Sequence, residues 1–436
     1  MPKITFVGAG SAVFTYEIIT DILSTPALDT GTFALVDIDA ERLELVQQVA
    51  KLAVAKSGKS WGVEASTERR EVLAGTDYLI NTIEVAGLQN VRHDFDIPMK
   101  YGVNQCIGDT IGPGGLFKAL RTLPAWLDIL ADTEQLAPRA LVMNYTNPMS
   151  ITCLVGIRAS KLPIVGLCHS IPHTAEQLAE YLGIPRDEIQ FRAAGVNHAA
   201  WLVELTRKGD DLYPLLREKA KNPIIYEQDP VRFEMMLHFG AFPTESSGHF
   251  SEYVPYFRKR PDLVKKYTRA AYLGETGFYA NNWPTWRRES DDEMRQIIAG
   301  KQEIELNRGP EYASYIIEAV ETNTPTLIYG NVLNTGLVTN LAQNGVVEVA
   351  CMVNRNGIQP TYFGALPAQL AAIDAAHMAF HELVAIATLE QNREAAVHAL
   401  MLDPLTAAVC SPAEIRTMFD EMATAQAAYL PDWMQK

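Results

Sequence analysis

KITFVGAGSAVFTYEIITDIL, residues 3–23, with FALVDID following at 33–39, is the stretch that decides the fold. Lys-Ile-Thr-Phe-Val reads as a short buried strand, the glycines interrupt it, and an amphipathic helix pattern begins within three residues. A second apolar strand then ends on an acidic residue. Strand, glycine turn, helix, strand and acidic end is the order of a dinucleotide-binding βαβ unit. Gly8 and Gly10 fill the first two places of a GxGxxG turn, Ser11 follows them, and Val13 stands at the third glycine's place. Such a turn lets a pyrophosphate approach the backbone, and the free N–H groups at the helix start favour its charge. Asp37 follows Gly10 by 27 residues, a longer interval than the usual figure of about 20. As acceptor for the adenosine ribose hydroxyls it favours NAD over the phosphorylated form. Asp39 is its rival for that place.

The alternation continues through DYLINTI (77–83), a helix pattern over 116–136, ALVMNYTNP (140–148), LPIVGLC (162–168) and a helix over 174–182. These elements predict an α/β fold, with a doubly wound parallel sheet of Rossmann type over residues 1–170. From about 205 to 310 the period is lost. Helix and strand patterns return at EYASYIIEAVET, TLIYGNV and VVEVACMV, so residues 171–436 read as a second, mixed α/β domain on the plan of lactate and malate dehydrogenases. The apolar helix near 365–390 leaves surface for subunit contacts, which points to a homodimer or homotetramer.

A net charge of −15 over 436 residues argues against nucleic-acid or anionic membrane partners, which call for basic surfaces. No stretch offers the roughly 18 uncharged apolar residues of a membrane span, and no cleavable apolar leader is recognisable, so a cytoplasmic protein is expected. The five cysteines, 106, 153, 168, 351 and 410, include no CxxC pair, which argues against a disulfide framework or a structural zinc site.

Polar residues at strand ends are the chemical candidates, because ligands of open α/β sheets bind there. Cys168 ends PIVGLC and His198 ends AAGVNH, 30 residues later. The pair suits a metal site, or else a buried thiol and a satisfied core histidine. Asn147, in NYTNPM, offers an amide to a polar substrate, or marks a turn before proline. TESSGHFSEYVPYFRKR (244–260) suits a loop folded over a site, or a solvated segment. HMAFHE (377–382) sets two histidines at i and i+4, but its glutamate is misplaced for a zinc protease.

Together, ITFVGAGSAVF, ALVDID, GDTIGPGGLFKALRT, NYTNPM, GLCHS, GVNHAAW, TESSGHFSEY, YGNV and VEVACMVNRNGIQP resemble, in order and over nearly the whole chain, glycoside hydrolase family 4. This family is an exception to two-carboxylate glycoside hydrolysis. Cys-His-Ser, in place of Cys-Asp, resembles the α-galactosidase and α-galacturonidase branch rather than the phospho-sugar branch. The resemblance implies hydrolysis through oxidation of the sugar at carbon 3 by NAD⁺, loss of the carbon-2 proton, elimination, water addition and re-reduction. It implies a divalent metal, Mn²⁺, held by Cys168 and His198. It gives His169 the role of acid to the leaving oxygen and Tyr253 that of base, with Tyr256 as runner-up. Asn147 is implied for the sugar hydroxyls, and Asp109 lies beside the same crevice. Arg258, Lys259 and Arg260 could pair with a uronate carboxylate or form a solvated run. An α-glucosidase or α-glucuronidase is the alternative within the family. A 2-hydroxyacid-type dehydrogenase and a noncatalytic NAD-binding protein are the alternatives outside it.

Overall fold

The computed structural model describes residues 1–435; the side chains of Ala12 and Val13 lie outside the described set, and with them the Val13 position of the cofactor turn. Thirteen strands form one sheet. They are β1 (Lys3–Val7), β2 (Thr30–Val36), β3 (Ser60–Ser66), β4 (Tyr78–Asn81), β5 (Leu141–Asn144), β6 (Ile164–Leu167), β7 (Gln190–Val196), β8 (Ala199–Arg207), β9 (Asp210–Asp211), β10 (Phe242–Pro243), β11 (Thr326–Leu333), β12 (Val346–Asn354) and β13 (Gly357–Pro360). The order along the sheet is β10-β8-β7-β12-β11-β6-β5-β4-β1-β2-β3, with β13 on β12 and β9 on β8. The segment β3-β2-β1-β4-β5-β6 is parallel throughout and has the strand order of dinucleotide-binding domains. Helices cover both of its faces, so β4 and β5 are buried at every residue and read as unbroken apolar runs.

The second half does not build a separate sheet. β11 pairs antiparallel with β6, and β12, β7, β8 and β10 extend the same ladder. β7 and β8 form a hairpin whose two connecting residues are Asn197 and His198, with His198 in the left-handed region at φ 63°. The strand ends of the parallel half and this hairpin turn therefore meet at one place.

Two elements differ from the sequence reading. Residues 278–298 form a 21-residue helix, although the period there is obscure; only Phe278, Ala280, Met294 and Ile297 of it are buried, and Pro284 lies inside. The helix Ala368–Leu389 has the length and apolar composition of a membrane span, with mean hydropathy 1.4 over its best window. Its buried face carries Asp374, His377 and His381 and packs on the helix Met149–Ala159, the helix Gly112–Leu136 and strands β7 and β8. That face belongs to the core, and the opposite side of the helix stays open, with Gln369, Ala372 and Ala375 exposed.

Candidate active site

The glycine turn after β1 is built as a nucleotide cradle. Gly8 and Ala9 both donate to the carbonyl of Val36 at 2.9 Å, tying the turn to the end of β2. Gly8 has φ 86°, and a Cβ there would lie 2.7 Å from the backbone of Thr82 and Ile83. A Cβ on Gly10 would lie 2.7 Å from Oδ2 of Asp37, whose carboxylate accepts from the Gly10 and Asp39 N–H groups at 2.7 and 2.9 Å. The helix Ala12–Ser24 starts behind Ser11 with no side-chain cap and no acidic residue in its first turn. Its amide donors thus remain for an anion, and the residues present fit a dinucleotide. Asp39 is committed elsewhere: its side chain caps the helix Ala40–Ser57 through Arg42 N. Of the two rivals, Asp37 is the one beside the turn.

Cys168 and His198, 30 residues apart, come together with Sγ and Nε2 3.4 Å apart. Glu245 joins them, its Oε2 lying 3.5 Å from the same Nε2. The three donor atoms all lie within 4.8 Å of one another. The other ring nitrogen, Nδ1, faces Thr110 Oγ1 at 3.4 Å and Tyr253 Oη at 3.3 Å. Donation from Nδ1 to either oxygen leaves the Nε2 lone pair turned toward Cys168, the tautomer a metal ligand needs. Burial, reinforced by Glu348, pushes the Cys168 thiol up to about 12, so an ion binding the sulfur must displace a proton. Burial opposes ionisation of Glu245, but His198 and His249 beside it hold its carboxyl below the ordinary value. A thiol, an imidazole and a carboxylate turned to one point fit a divalent cation.

His169 stands half-exposed at the N-cap position of the helix Ser170–Leu182 without a capping hydrogen bond, and its Nδ1 lies 3.0 Å from Oε1 of the buried Glu311. That hydrogen bond outweighs burial and lifts the imidazole to about 9. Asp109 is buried between Thr110, Lys118, Asn147 Nδ2 at 3.2 Å and His249 Nε2 at 3.4 Å. Burial works against its charge, yet Lys118 and His249 hold it well below the usual carboxylate range. Lys118 in turn pairs with Glu84 at 2.6 Å. Asn147 keeps its Oδ1 buried without a hydrogen-bond partner.

Tyr253 lies on the helix Ser247–Tyr253 at 1% exposure, and burial raises its phenol well above the ordinary value, with Asp109, Glu245 and Glu252 adding to that. Tyr256 is 40% exposed and packs on Phe239, away from the cluster. Neighbouring Glu252 accepts from the backbone N–H groups of Ile107 (2.6 Å), Gly108 (3.0 Å) and Cys106, fixing the loop that leads to Asp109.

Two sequence motifs, the basic run 258–260 and the histidine pair of HMAFHE, fall outside the centre. Arg258 is buried and donates to Asn104 O, Asn104 Oδ1, Ser251 Oγ and Gly274 O. Arg260 pairs with Asp262 at the surface, and Lys259 is exposed. His377 and His381 are buried and pushed down to about 3, His377 packing edge-on against Tyr253; among the described residues they gather no metal-binding group. Conversely, Glu311 and Lys118 were not singled out from sequence. Glu245 was noted only as part of a polar loop.

Two family models together span most of the chain: "Family 4 glycosyl hydrolase" over residues 3–184 and "Family 4 glycosyl hydrolase C-terminal domain" over residues 193–406. The chain belongs to glycoside hydrolase family 4. Family 4 relatives include an α-galactosidase of Bacillus subtilis (strain 168), 39% identical over 99% of this chain and 100% of its own. An α-galacturonidase of the same strain is 28% identical over 96% of each chain. A solved 6-phospho-α-glucosidase from gut microorganisms, in complex with NAD and glucose-6-phosphate, superimposes with TM-score 0.83 over 99% of each chain at 22% identity. Malate dehydrogenase of Plasmodium falciparum superimposes with TM-score 0.53 at 13% identity, covering 92% of this chain and 100% of its own. These two superpositions bear on the fold alone and agree with the dehydrogenase plan.

Proposed function

We propose that this family 4 glycosidase hydrolyses α-galactosides, using NAD⁺ and a divalent cation, Mn²⁺, at the centre formed by Cys168 and His198. The observation that carries the reading is the convergence of a metal-type donor set with an uncapped glycine-turn helix at the ends of one parallel sheet. The choice of galactoside over galacturonide rests on charge. A uronate needs a free cation, and the basic cluster at 258–260 spends itself inside the fold or on the surface. The buried Lys118, which pairs with Asp109, is already shared by Glu84. The α-galactosidase of Bacillus subtilis is also the more similar of the two relatives from that strain.

Bound NAD⁺ supplies a hydride acceptor and the divalent ion a Lewis acid. The glycine turn at Gly8 and Gly10 would hold the pyrophosphate of the cofactor and Asp37 its adenosine ribose. Asn147 Oδ1 accepts a sugar hydroxyl and, through its amide N–H, stays fixed to Asp109. Tyr253 would take the proton from carbon 2 once the bound cation beside it brings down a phenol that burial otherwise holds protonated, and His169, oriented by Glu311, gives a proton to the departing glycosidic oxygen. The half-exposed setting of His169 suits a leaving group at the mouth of the site. Five free cysteines, one of them the thiol ligand, suit a reducing, cytoplasmic compartment, and the exposed side of the apolar helix Ala368–Leu389 leaves room for a homo-oligomer.

The test is hydrolysis of nitrophenyl α-galactoside in D₂O with NAD⁺, Mn²⁺ and reductant. Deuterium at carbon 2 of the galactose is expected. Efficient hydrolysis without it rules the elimination route out, and net accumulation of NADH in step with product would make the protein a dehydrogenase.

A further inference from the structure

We infer that Glu245 is a third protein ligand of the divalent cation, making the centre a Cys-His-Glu site rather than a two-residue one. The inference rests on the metal reading of Cys168 and His198 given above and adds a donor to it.

Geometry comes first. Ligands about 2.0–2.3 Å from a common ion, at angles between 90° and 110°, lie roughly 2.8–3.8 Å from one another. His198 Nε2 is 3.4 Å from Cys168 Sγ and 3.5 Å from Glu245 Oε2, so both neighbours stand at ligand spacing from the same ring nitrogen. The 3.5 Å to the carboxylate is not that of a charge-assisted hydrogen bond, which closes to about 2.7–2.9 Å. The second histidine is no better a partner, with His249 Nδ1 3.9 Å from Oε1. Glu245 is partly buried, and among the described residues its Oε2 has no full-strength partner.

The carboxylate is also held in place before any ion arrives. Oε1 accepts from the N–H of Ser246 at 2.8 Å, which turns Oε2 toward the ring. The residue follows β10, which pairs with β8, and Thr244 N extends that pairing to Ala200 O at 2.9 Å. β8 leads directly out of the turn that carries His198. One small ladder therefore positions both the imidazole and the carboxylate, and a side chain on a rigid element makes a precise ligand.

The chemistry points the same way. A thiolate and one neutral imidazole leave a divalent ion with a net charge of +1 in a buried place, whereas a carboxylate brings the sum to zero. A thiolate is a soft donor and Mn²⁺ prefers oxygen, so Cys168 and His198 alone are a poor match for that ion. Glu245 supplies the hard donor. The remaining positions stay open to sugar oxygens and water.

The experiment measures metal uptake by the whole chain without sugar, following free Mn²⁺ by its electron paramagnetic resonance signal and Cd²⁺ by calorimetry. Wild type, C168S, E245Q and E245D are compared, and melting in chelator checks that each variant is folded. Glu245→Gln should weaken Mn²⁺ by about ten-fold or more and Cd²⁺ by clearly less, moving the Mn²⁺/Cd²⁺ preference toward the softer ion. Glu245→Asp should recover part of the Mn²⁺ affinity. A residue that served only the sugar or the fold would not move that ratio. Wild-type affinities retained in E245Q, with an unchanged ratio, overturn the assignment of Glu245 while leaving the Cys168–His198 pair intact. Failure of the wild type itself to take up either ion, or unchanged uptake in C168S, overturns the underlying metal reading and this inference with it.

Discussion

His198 presents Nε2 to Cys168 Sγ, 3.4 Å away, from a backbone in the left-handed region at φ 63°. A non-glycine residue pays about 1–2 kcal/mol for that conformation, and asparagine, which tolerates it better, is the natural occupant of such a turn. Holding a strained histidine there is understandable if its ring has a task. His198→Asn is expected to leave the metal-free melting temperature unchanged or slightly raised, while metal uptake and turnover are lost. Melts in chelator and a Mn²⁺ titration check it. A large loss of metal-free stability would show that the ring is there for packing.

Gly10 and Asp37 are coupled through the space a Cβ would fill, 2.7 Å from the carboxylate. Gly10→Ala should therefore destabilise the chain and weaken NAD⁺ together. Asp37→Ala alone should weaken NAD⁺ by roughly ten-fold, about 1.4 kcal/mol, through loss of the ribose acceptor. In the double variant the clash is relieved, so it should melt above the Gly10→Ala single variant without regaining cofactor affinity. A double-mutant cycle on melting and NAD⁺ titration separates the two effects.

His169 as acid makes a prediction that depends on the leaving group. His169→Ala should slow alkyl or oligosaccharide α-galactosides by about 10²–10⁴-fold, the usual worth of a positioned acid, and nitrophenyl galactosides far less, because nitrophenolate leaves unprotonated. Glu311→Gln, which keeps a partner at 3.0 Å but removes its charge, should show the same pattern on a smaller scale. Equal slowing of both substrate types would remove His169 from that role.

Strands β1, β2, β4, β5 and β6 of the parallel half were legible because each is a short apolar run ended by glycine or a polar residue, a signal contained within about ten positions, whereas β3, with one buried residue in seven, carries no such run. Cys168 and Asp37 could be found for the same reason: each sits at such an end. Glu311 could not, since it reaches His169 across 142 residues and only tertiary packing joins them. Glu245 belongs to the same class, although its loop was noted for its polarity. The helix 278–298 was missed because few of its residues are buried, so the periodic signal that marks a packed helix is faint. Arg258 illustrates the opposite limit: in sequence it is one of three consecutive basic residues, but burial separates it entirely from its neighbours.

That separation predicts specificity. Lys259→Ala and Arg260→Ala should leave the ratio of kcat/KM for α-galactoside over α-galacturonide unchanged and in favour of the galactoside. Arg258→Met should instead cost stability, about 3 kcal/mol or more, because four acceptors lose their buried donor. Melting and nitrophenyl substrates read the two outcomes. A strong preference for the galacturonide, lost in either surface variant, would restore the basic run as a uronate site.

Asp403 offers a stability prediction away from the site. It caps the helix Pro404–Val409 by accepting from Thr406 N, but its Oδ1 is buried without a partner, and burial raises its carboxyl to about 6. An unfolded aspartate titrates near 3.9, so between roughly pH 4 and pH 6 the folded chain binds the extra proton and is favoured by acid. As pH rises through that window the contribution is lost, and above it the buried charge is a standing cost of about 2–3 kcal/mol. Asparagine keeps the cap and cannot ionise. Asp403→Asn should match the wild type near pH 4 and exceed it above pH 6, with the difference opening between those values. Denaturant unfolding at pH 4.5, 6 and 7.5 measures it, and a difference independent of pH would mean that the folded carboxyl titrates normally.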